Sequence, residues 1–161
     1  MNLPRLLSTI LLLAWLSPAT AQDVQPFTRG SYADIIAAHH GRPFILALWS
    51  LDCLYCRDDF VLFEKLAKSH PSLDIILVAT DSPTQNAAIT ALLRRYKLQN
   101  AQAWVFADSF VERLRFEVDK QWQGELPRTY LFEADGKRES ISGKMDERLL
   151  TRWAQQQAKL K

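Results

Sequence analysis

Cysteine is scarce in this chain, with two among 161 residues, which excludes a small scaffold held together by several disulfides. Five glycines and seven prolines are too few for a collagen-like or low-complexity protein. Neither sign of charge dominates, because 20 Lys and Arg face 18 Asp and Glu for a formal net charge of +2. The two signs are interleaved, and without a basic stripe we expect no nucleic-acid partner.

Long apolar runs are also missing. Residues 6–16 are mostly apolar and follow Arg5, and Ala19 and Ala21 supply small residues two apart. Eleven helical residues span about 16 Å, which is roughly half of a bilayer core. The segment therefore has the layout of a secretory signal peptide, 1–21, cleaved after Ala21. We expect one mature domain, 22–161, with no stable membrane insertion.

The mature sequence alternates between two patterns. Short apolar runs predict strands buried on both faces, and apolar residues at helical spacing predict the segments between them. An Asp-Gly turn at 135–136 predicts a hairpin. The predicted helices are 31–40, 56–69, 84–98, 108–118 and 146 onward; the predicted strands are 44–49, 73–79, 103–107, 128–133 and 138–142. The fold class is therefore α/β, with a mixed sheet of about four to five strands flanked by helices.

The two cysteines, Cys53 and Cys56, follow a predicted strand and begin a predicted helix. A purely structural disulfide would close a ring of only four residues and contribute about 2 kcal/mol. A structural zinc ion needs four ligands. The histidines offer few of them, because His39 and His40 point apart on one helix. The remaining interpretation is a redox dithiol, since the amides and dipole of a helix N-terminus stabilise a thiolate.

Four segments carry a resemblance to a known family. They are W-S-L-D-C-L-Y-C-R at 49–57, C-R-D-D at 56–59, L-P-R-T-Y-L-F at 126–132, and D-G-K at 135–137 followed by a glycine at 143. The first, third and fourth of these resemble the active-site, cis-proline and terminal-hairpin segments of the thioredoxin superfamily. The C-R-D-D segment is similar to the C-R-x-E of its exported, TlpA-like reductase branch.

The resemblance implies a thioredoxin-like fold and a thiol–disulfide oxidoreductase that needs no cofactor and no metal. Cys53, nearer the helix end, is expected to be the exposed attacking thiol, and Cys56, one turn on and on the same face, to resolve the mixed disulfide, so that a Cys53–Cys56 disulfide forms and breaks. The supporting residues that the resemblance implies are Trp49, as a core or active-site wall aromatic, and Tyr55, as a surface aromatic. They also include the acidic Asp59 and the cis-proline segment, Leu126 with Pro127.

Several positions depart from the family pattern, among them the Leu54-Tyr55 pair between the cysteines, which is neither the Gly-Pro of thioredoxin nor the Pro-His of the strong oxidants. Ala47 replaces a buried carboxylate of thioredoxins, Asp59 stands where the TlpA-like branch has Glu, and Val61 replaces a proline. Near the cysteines, Arg57 and the helix N-terminus favour a thiolate, whereas the three neighbouring aspartates oppose it. A less stabilised thiolate makes a weaker oxidant. We therefore predict a reductant or isomerase-like protein.

The resemblance also implies a periplasmic location, protein thiol or disulfide substrates, and a membrane thiol carrier that supplies electrons. A different class of function remains open: a periplasmic copper-binding protein using the same cysteine pair. It would favour a histidine or methionine beside the thiols, whereas His70 lies at the far end of the predicted helix and Met145 is the only methionine of the mature sequence. A third possibility is an interaction module with an incidental disulfide.

Overall fold

The computed structural model describes residues 23–159, so the predicted signal peptide lies outside the described residues. The described part contains six strands and five α-helices. The strands are β1 (Val24–Phe27), β2 (Phe44–Trp49), β3 (Asp74–Ala79), β4 (Gln102–Phe106), β5 (Arg128–Phe132) and β6 (Arg138–Ser142). The helices are α1 (Ser31–Ala38), α2 (Leu54–Ser69), α3 (Asn86–Arg95), α4 (Val111–Val118) and α5 (Glu147–Lys159), with a 3₁₀ turn at Pro83–Gln85.

The strands form one mixed sheet in the order β1-β4-β3-β2-β5-β6. Strands β1, β4, β3 and β2 are parallel, whereas β5 runs antiparallel to β2 and β6 antiparallel to β5. All six residues of β2 are buried, because it is a central strand with helices on both faces. The predicted α/β class and the antiparallel closing hairpin are confirmed.

The predicted number of strands, four to five, is too low, because β1 was missed. It has only four residues, and its Pro26 weakens any strand signal. Its two central residues are exposed. What makes it a strand is parallel pairing with β4, in which Val24 lies opposite Ala103. Strand β4 lies far along the chain, so no local sequence pattern predicts β1.

Alternate residues of β2 build the two halves of the core. One half contains Ile45, Ala47 and Trp49 with residues of α2, α3 and α5. The other half contains the remaining β2 side chains with residues of α1 and α4. Helix α2, which carries the cysteines, therefore packs on the same face of the sheet as α3 and α5.

Helix boundaries differ modestly from the predictions. Helix α2 begins at Leu54, two residues earlier than predicted, and the predicted helix 84–98 is a 3₁₀ turn followed by α3. Asp146 caps α5 as predicted, since its Oδ1 accepts a hydrogen bond from Leu149 N at 2.8 Å. None of the helices within residues 23–159 is long and apolar enough to cross a bilayer.

The topology determines where a site can form. Because β2, β3 and β4 are parallel, their carboxyl ends lie at the same edge of the sheet. The segment 50–53, which joins β2 to α2, lies at this edge together with the residues that follow β3. The start of β5 arrives here from the opposite direction, with Arg128 opposite Leu48.

Candidate active site

The cysteine pair lies at the N-terminus of α2 as a disulfide between Cys53 and Cys56, with a Cα–Cα distance of 5.4 Å. Cys53 is the N-cap residue, and its Sγ accepts a hydrogen bond from Cys56 N at 3.1 Å. Cys53 is partly buried, whereas Cys56 is only 1% exposed. The two sulfur atoms therefore differ in access: Cys53 lies at the helix tip and Cys56 in the core.

The loop that leads to the cysteines is held in place by hydrogen bonds of the Leu51 N–H and carbonyl groups. Leu51 N donates to both carboxylate oxygens of Asp81, at 3.2 and 3.1 Å. The carbonyl of Leu51 accepts a hydrogen bond from Arg57 Nη2 at 3.2 Å. Partial burial, reinforced by nearby Asp52, raises the pKa of Asp81. The main chain that leads to Cys53 is thus held by Asp81, which follows β3, and by Arg57 of α2.

Asp81 is a residue that the sequence interpretation missed. It follows β3 after one intervening residue, Thr80, whose N–H donates to Trp49 O at 2.8 Å. The signal was an aspartate just beyond a buried parallel strand. Such a residue belongs to the same sheet edge as the cysteines, where ligand-contacting residues of parallel sheets collect.

The cis-proline segment is present at the start of β5. The Leu126–Pro127 peptide bond is cis, as the family resemblance implied. Because Arg128 lies opposite Leu48 in the antiparallel ladder, the next position of the register places Pro127 beside Trp49. Leu126 is partly buried against the same core cluster as Cys53. The cis-proline segment therefore adjoins the end of β2, the strand that leads into the cysteine loop.

Trp49 is a core residue and does not line the surface. Its side chain is 1% exposed and packs edge-to-face on Phe60, with ring centroids 4.9 Å apart. Its Nε1 is buried without a hydrogen-bond partner. Trp49 therefore supports the site from below, as packing under the cysteine helix.

The residues between the cysteines are the most exposed apolar side chains of the site. Leu54 is 68% exposed and Tyr55 69% exposed. Large apolar side chains that stand free beside a reactive group offer contact area to a partner. Tyr55 thus lies where the sequence interpretation placed it, on the surface beside Cys53.

Asp59 is buried one helical turn after Cys56, with 2% of its surface exposed. Its Oδ1 accepts a hydrogen bond from Met145 N at 2.8 Å, whereas its Oδ2 is buried without a partner. Burial raises the pKa of Asp59 to about 6, and nearby Asp58 adds to the rise while the Met145 N–H and Lys144 oppose it. A carboxyl group with this pKa can accept or release a proton near neutral pH.

The other charges around the pair are partly neutralised. Asp58 forms an ion pair with Lys144, Oδ2 to Nζ 2.9 Å, and Arg57 is engaged by the Leu51 carbonyl. A carbonyl does not cancel the charge of Arg57, so the remaining charges close to Cys53 in sequence are those of Arg57, of the exposed Asp52 and of the buried Asp59. The predicted excess of negative charge near the pair is therefore smaller than the count of aspartates suggested.

No group of three or more His, Cys, Asp or Glu side chains within residues 23–159 is arranged to hold a metal ion. His39 lies buried at the end of α1, where its Nδ1 is 2.7 Å from Ile35 O. His70 lies just beyond the far end of α2. Met145 is buried in the same core cluster as Cys56.

No family model and no curated protein sequence matches this chain. Solved structures do. A secreted disulfide oxidoreductase of Mycobacterium tuberculosis, 20% identical, superposes with a TM-score of 0.60 over 74% of this chain and 85% of that one. A thiol:disulfide interchange protein of the thioredoxin family from Chlorobium tepidum gives 0.61 at 14% identity, over 75% and 83%.

An exposed lipoprotein thioredoxin of Streptococcus pneumoniae is a further structural neighbour, with a TM-score of 0.53 and 15% identity over 75% of this chain and 89% of that one. At these identities the likeness concerns the fold. The chain therefore has the thioredoxin-like fold of these proteins, which confirms at the level of the fold the resemblance inferred from its sequence.

Proposed function

We propose that this protein is a thiol–disulfide oxidoreductase of protein substrates, with Cys53 as the nucleophile and Cys56 as the resolving thiol. One observation carries the proposal. The two cysteines are bonded at a helix N-terminus, where Cys53 is partly exposed and its sulfur accepts the Cys56 N–H. The same hydrogen bond and the helix dipole would stabilise a Cys53 thiolate after reduction.

The reaction is a pair of thiol–disulfide exchanges. The Cys53 thiolate attacks one sulfur of a substrate disulfide, which breaks that bond, forms a mixed disulfide and releases the other substrate sulfur as a thiolate. Cys56, deprotonated, then attacks Cys53 Sγ. The Cys53–Cys56 disulfide forms, and the second substrate sulfur leaves with its electron pair. Two electrons have passed from the protein to the substrate.

Asp59 is the group that we propose to take the proton from Cys56. A thiol that is 1% exposed cannot lose its proton directly to bulk water, so it needs an acceptor inside the protein. Asp59 lies three residues further along α2, hence on the same helix face, and its Oδ2 has no partner. Asp59 would take the part of the buried carboxylate of thioredoxins, whose position is occupied in this chain by Ala47.

Substrate contact is assigned to two surfaces. The exposed side chains of Leu54 and Tyr55 provide apolar area beside Cys53. The main chain at Leu126, before the cis Pro127, offers peptide groups to an extended segment of the substrate. Together they suit an unfolded or flexible polypeptide that carries a disulfide.

The direct test is the reduction of insulin disulfides by dithiothreitol, followed by turbidity, with and without catalytic amounts of the protein. We expect acceleration by the wild type and none by a Cys53→Ser/Cys56→Ser double variant. Equal rates for the two proteins would contradict the proposal. Stoichiometric Cu(I) binding that needs both cysteines, without turnover, would instead support the copper-binding alternative.

We further propose that the protein works as a reductant. The carboxylates of Asp52 and Asp59 near the pair oppose the negative charge of a Cys53 thiolate and offset part of its stabilisation by the helix N-terminus, so the reduced form gains less from ionisation than in a strong oxidant. Equilibration of the Cys53–Cys56 couple with glutathione should give a potential well below the roughly −120 mV of the strongest oxidants of this chemistry. A value near that figure would show an oxidant instead.

Export completes the proposal. The signal peptide predicted at 1–21, cleaved after Ala21, would direct the domain to the periplasm, and two of the structural neighbours are described as secreted or exposed proteins. In that compartment disulfides persist, so a reductant needs electrons from elsewhere. A membrane thiol carrier is the partner that we propose for this supply.

A further inference from the structure

Residues 143–145, called the strap below, touch both halves of the candidate site. Gly143 N donates to Pro127 O at 2.9 Å. Two residues later, Met145 N donates to Asp59 Oδ1 at 2.8 Å. A single short segment is thus hydrogen-bonded at one end to the cis-proline loop and at the other end to the helix that carries the cysteines.

The bond at the Asp59 end is a strong one. The acceptor is a carboxylate and the contact is buried. Hydrogen bonds to ionised groups are stronger than ordinary amide–carbonyl bonds, and burial strengthens them further. The neighbouring Lys144–Asp58 ion pair joins the same two elements, but both side chains are more than half exposed, so its contribution is small. Asp59 is therefore the principal polar attachment of the strap to α2, beside the Met145 side chain, which is buried in the core cluster that includes α2 residues.

The bond at the Pro127 end extends the β5–β6 ladder by one position beyond the pair Arg128–Ser142. Proline has no N–H, so Pro127 cannot donate to β2, and the β2–β5 pairing ends at Arg128. The carbonyl bond to Gly143 is then a main-chain connection that holds the cis-proline loop against the hairpin.

We propose that the strap sets the spacing between the cysteine helix and the cis-proline loop, and that Asp59 is a positioning residue for polypeptide substrates. This inference rests on the proposed oxidoreductase function. An extended substrate must reach Cys53 and pair with the main chain near Leu126 at once, so its binding depends on that spacing. A small disulfide that reacts with Cys53 alone does not.

The test compares two variants that both lack the carboxylate. Asp59→Asn retains an oxygen that accepts from Met145 N, whereas Asp59→Ala does not. We expect kcat/KM for insulin to be about three- to tenfold lower in Asp59→Ala than in Asp59→Asn, the worth of one hydrogen bond, mainly through KM. The rate of reaction of the reduced variants with 5,5′-dithiobis(2-nitrobenzoate), a small aromatic disulfide, should agree within about twofold between them.

Asp58→Asn is the matched control, because it changes the adjacent residue and breaks the exposed pair with Lys144 while Asp59 keeps its hydrogen bond to Met145 N. We expect its insulin KM to match that of the wild type. Gly143→Ala perturbs the strap from its other end. Gly143 has φ +82°, which an L-residue rarely adopts, and nothing lies within 4 Å of an added Cβ. It should raise the insulin KM in the same direction as Asp59→Ala.

Hydrogen exchange of the Gly143 amide provides a readout that does not depend on activity. It should be faster in Asp59→Ala than in Asp59→Asn, because the strap has lost its buried hydrogen bond to α2. Equal exchange rates together with equal insulin KM values would overturn the proposal. A wild type that exchanges as expected but fails to reduce insulin would contradict the oxidoreductase function and leave the strap standing as a structural device.

Discussion

Replacing Cys56 with serine is expected to trap the protein in a covalent complex with its substrate, whereas replacing Cys53 is not. Cys53 lies at the tip of α2, where its sulfur is partly accessible and accepts the Cys56 N–H. It can therefore attack in the absence of Cys56, and the mixed disulfide then has no internal thiol to resolve it. Cys56 by itself is 1% exposed and cannot reach a substrate sulfur.

The measurement uses the two reduced single variants, each incubated with oxidised insulin and then quenched by alkylation. Non-reducing electrophoresis and mass spectrometry should show the adduct with Cys56→Ser and none with Cys53→Ser. Alkylation of the free thiols by iodoacetamide gives a second readout. The remaining thiol of Cys56→Ser should react on the order of a hundredfold faster than that of Cys53→Ser, since reactivity follows thiolate character and exposure.

Adduct formation by both variants, or by Cys53→Ser alone, would contradict this assignment of roles. Absence of adducts from both, with inert thiols in the reduced folded protein, would remove the catalytic proposal altogether. Circular dichroism of each variant controls for folding. Serine is close in volume to cysteine, so we expect both variants to fold like the reduced wild type.

The second large effect is a pH dependence of stability that Asp59 introduces. Burial raises its pKa from 3.8 to about 6 in the folded protein, so the native state holds this proton more tightly than the unfolded chain does. The resulting stabilisation is complete below pH 3.8 and is lost as the pH rises through 6. A difference of about two pKa units corresponds to about 3 kcal/mol.

Asp59→Asn should therefore be more stable than the wild type at pH 7.5, by about 2–3 kcal/mol, and equal to it near pH 4. Asparagine keeps the hydrogen bond to Met145 N and carries no charge at any pH. Urea unfolding of both oxidised proteins at pH 4, 5, 6 and 7.5 measures this difference directly. Other acidic groups titrate in the same range, but they are common to both proteins and cancel.

Asp58→Asn is again the control, because Asp58 is half exposed, and its stability difference from the wild type should stay within about 0.5 kcal/mol at every pH. Parallel stability curves for the wild type and Asp59→Asn would show that Asp59 is not buried as a charge. If the expected result holds, the wild type retains a carboxylate that lowers its stability at neutral pH. Such a cost is typical of groups kept for activity.

Much of the fold follows from local patterns. The apolar run at 44–49 predicted β2, and the Asp-Gly turn predicted the β5–β6 hairpin. The strand β1 did not follow, because its four residues become a strand only through pairing with β4. Helix α2 was expected from residue 56, and it begins at Leu54 because Cys53 caps it with its sulfur.

The candidate site divides in the same way. The spacing of Cys53 and Cys56 and the helix that follows them were enough to predict a redox dithiol and to order the two thiols by access. Asp81 was missed, since its role depends on the neighbouring ends of two parallel strands. The strap was missed as well, because its contacts are made by backbone N–H groups that every residue except proline possesses.

The sequence by itself determined the proposed thiol–disulfide chemistry, because a thiol pair at a helix N-terminus is a local arrangement of four residues. Only the tertiary structure decided what surrounds that pair. It buried Asp59 beneath Cys56, aimed Asp81 at Leu51, and joined Pro127 to α2 through residues 143–145. The hydrogen bonds of Asp81 to Leu51 and of Met145 to Asp59 connect positions 30 and 86 residues apart, and their partners are fixed by the packing of the sheet and its helices.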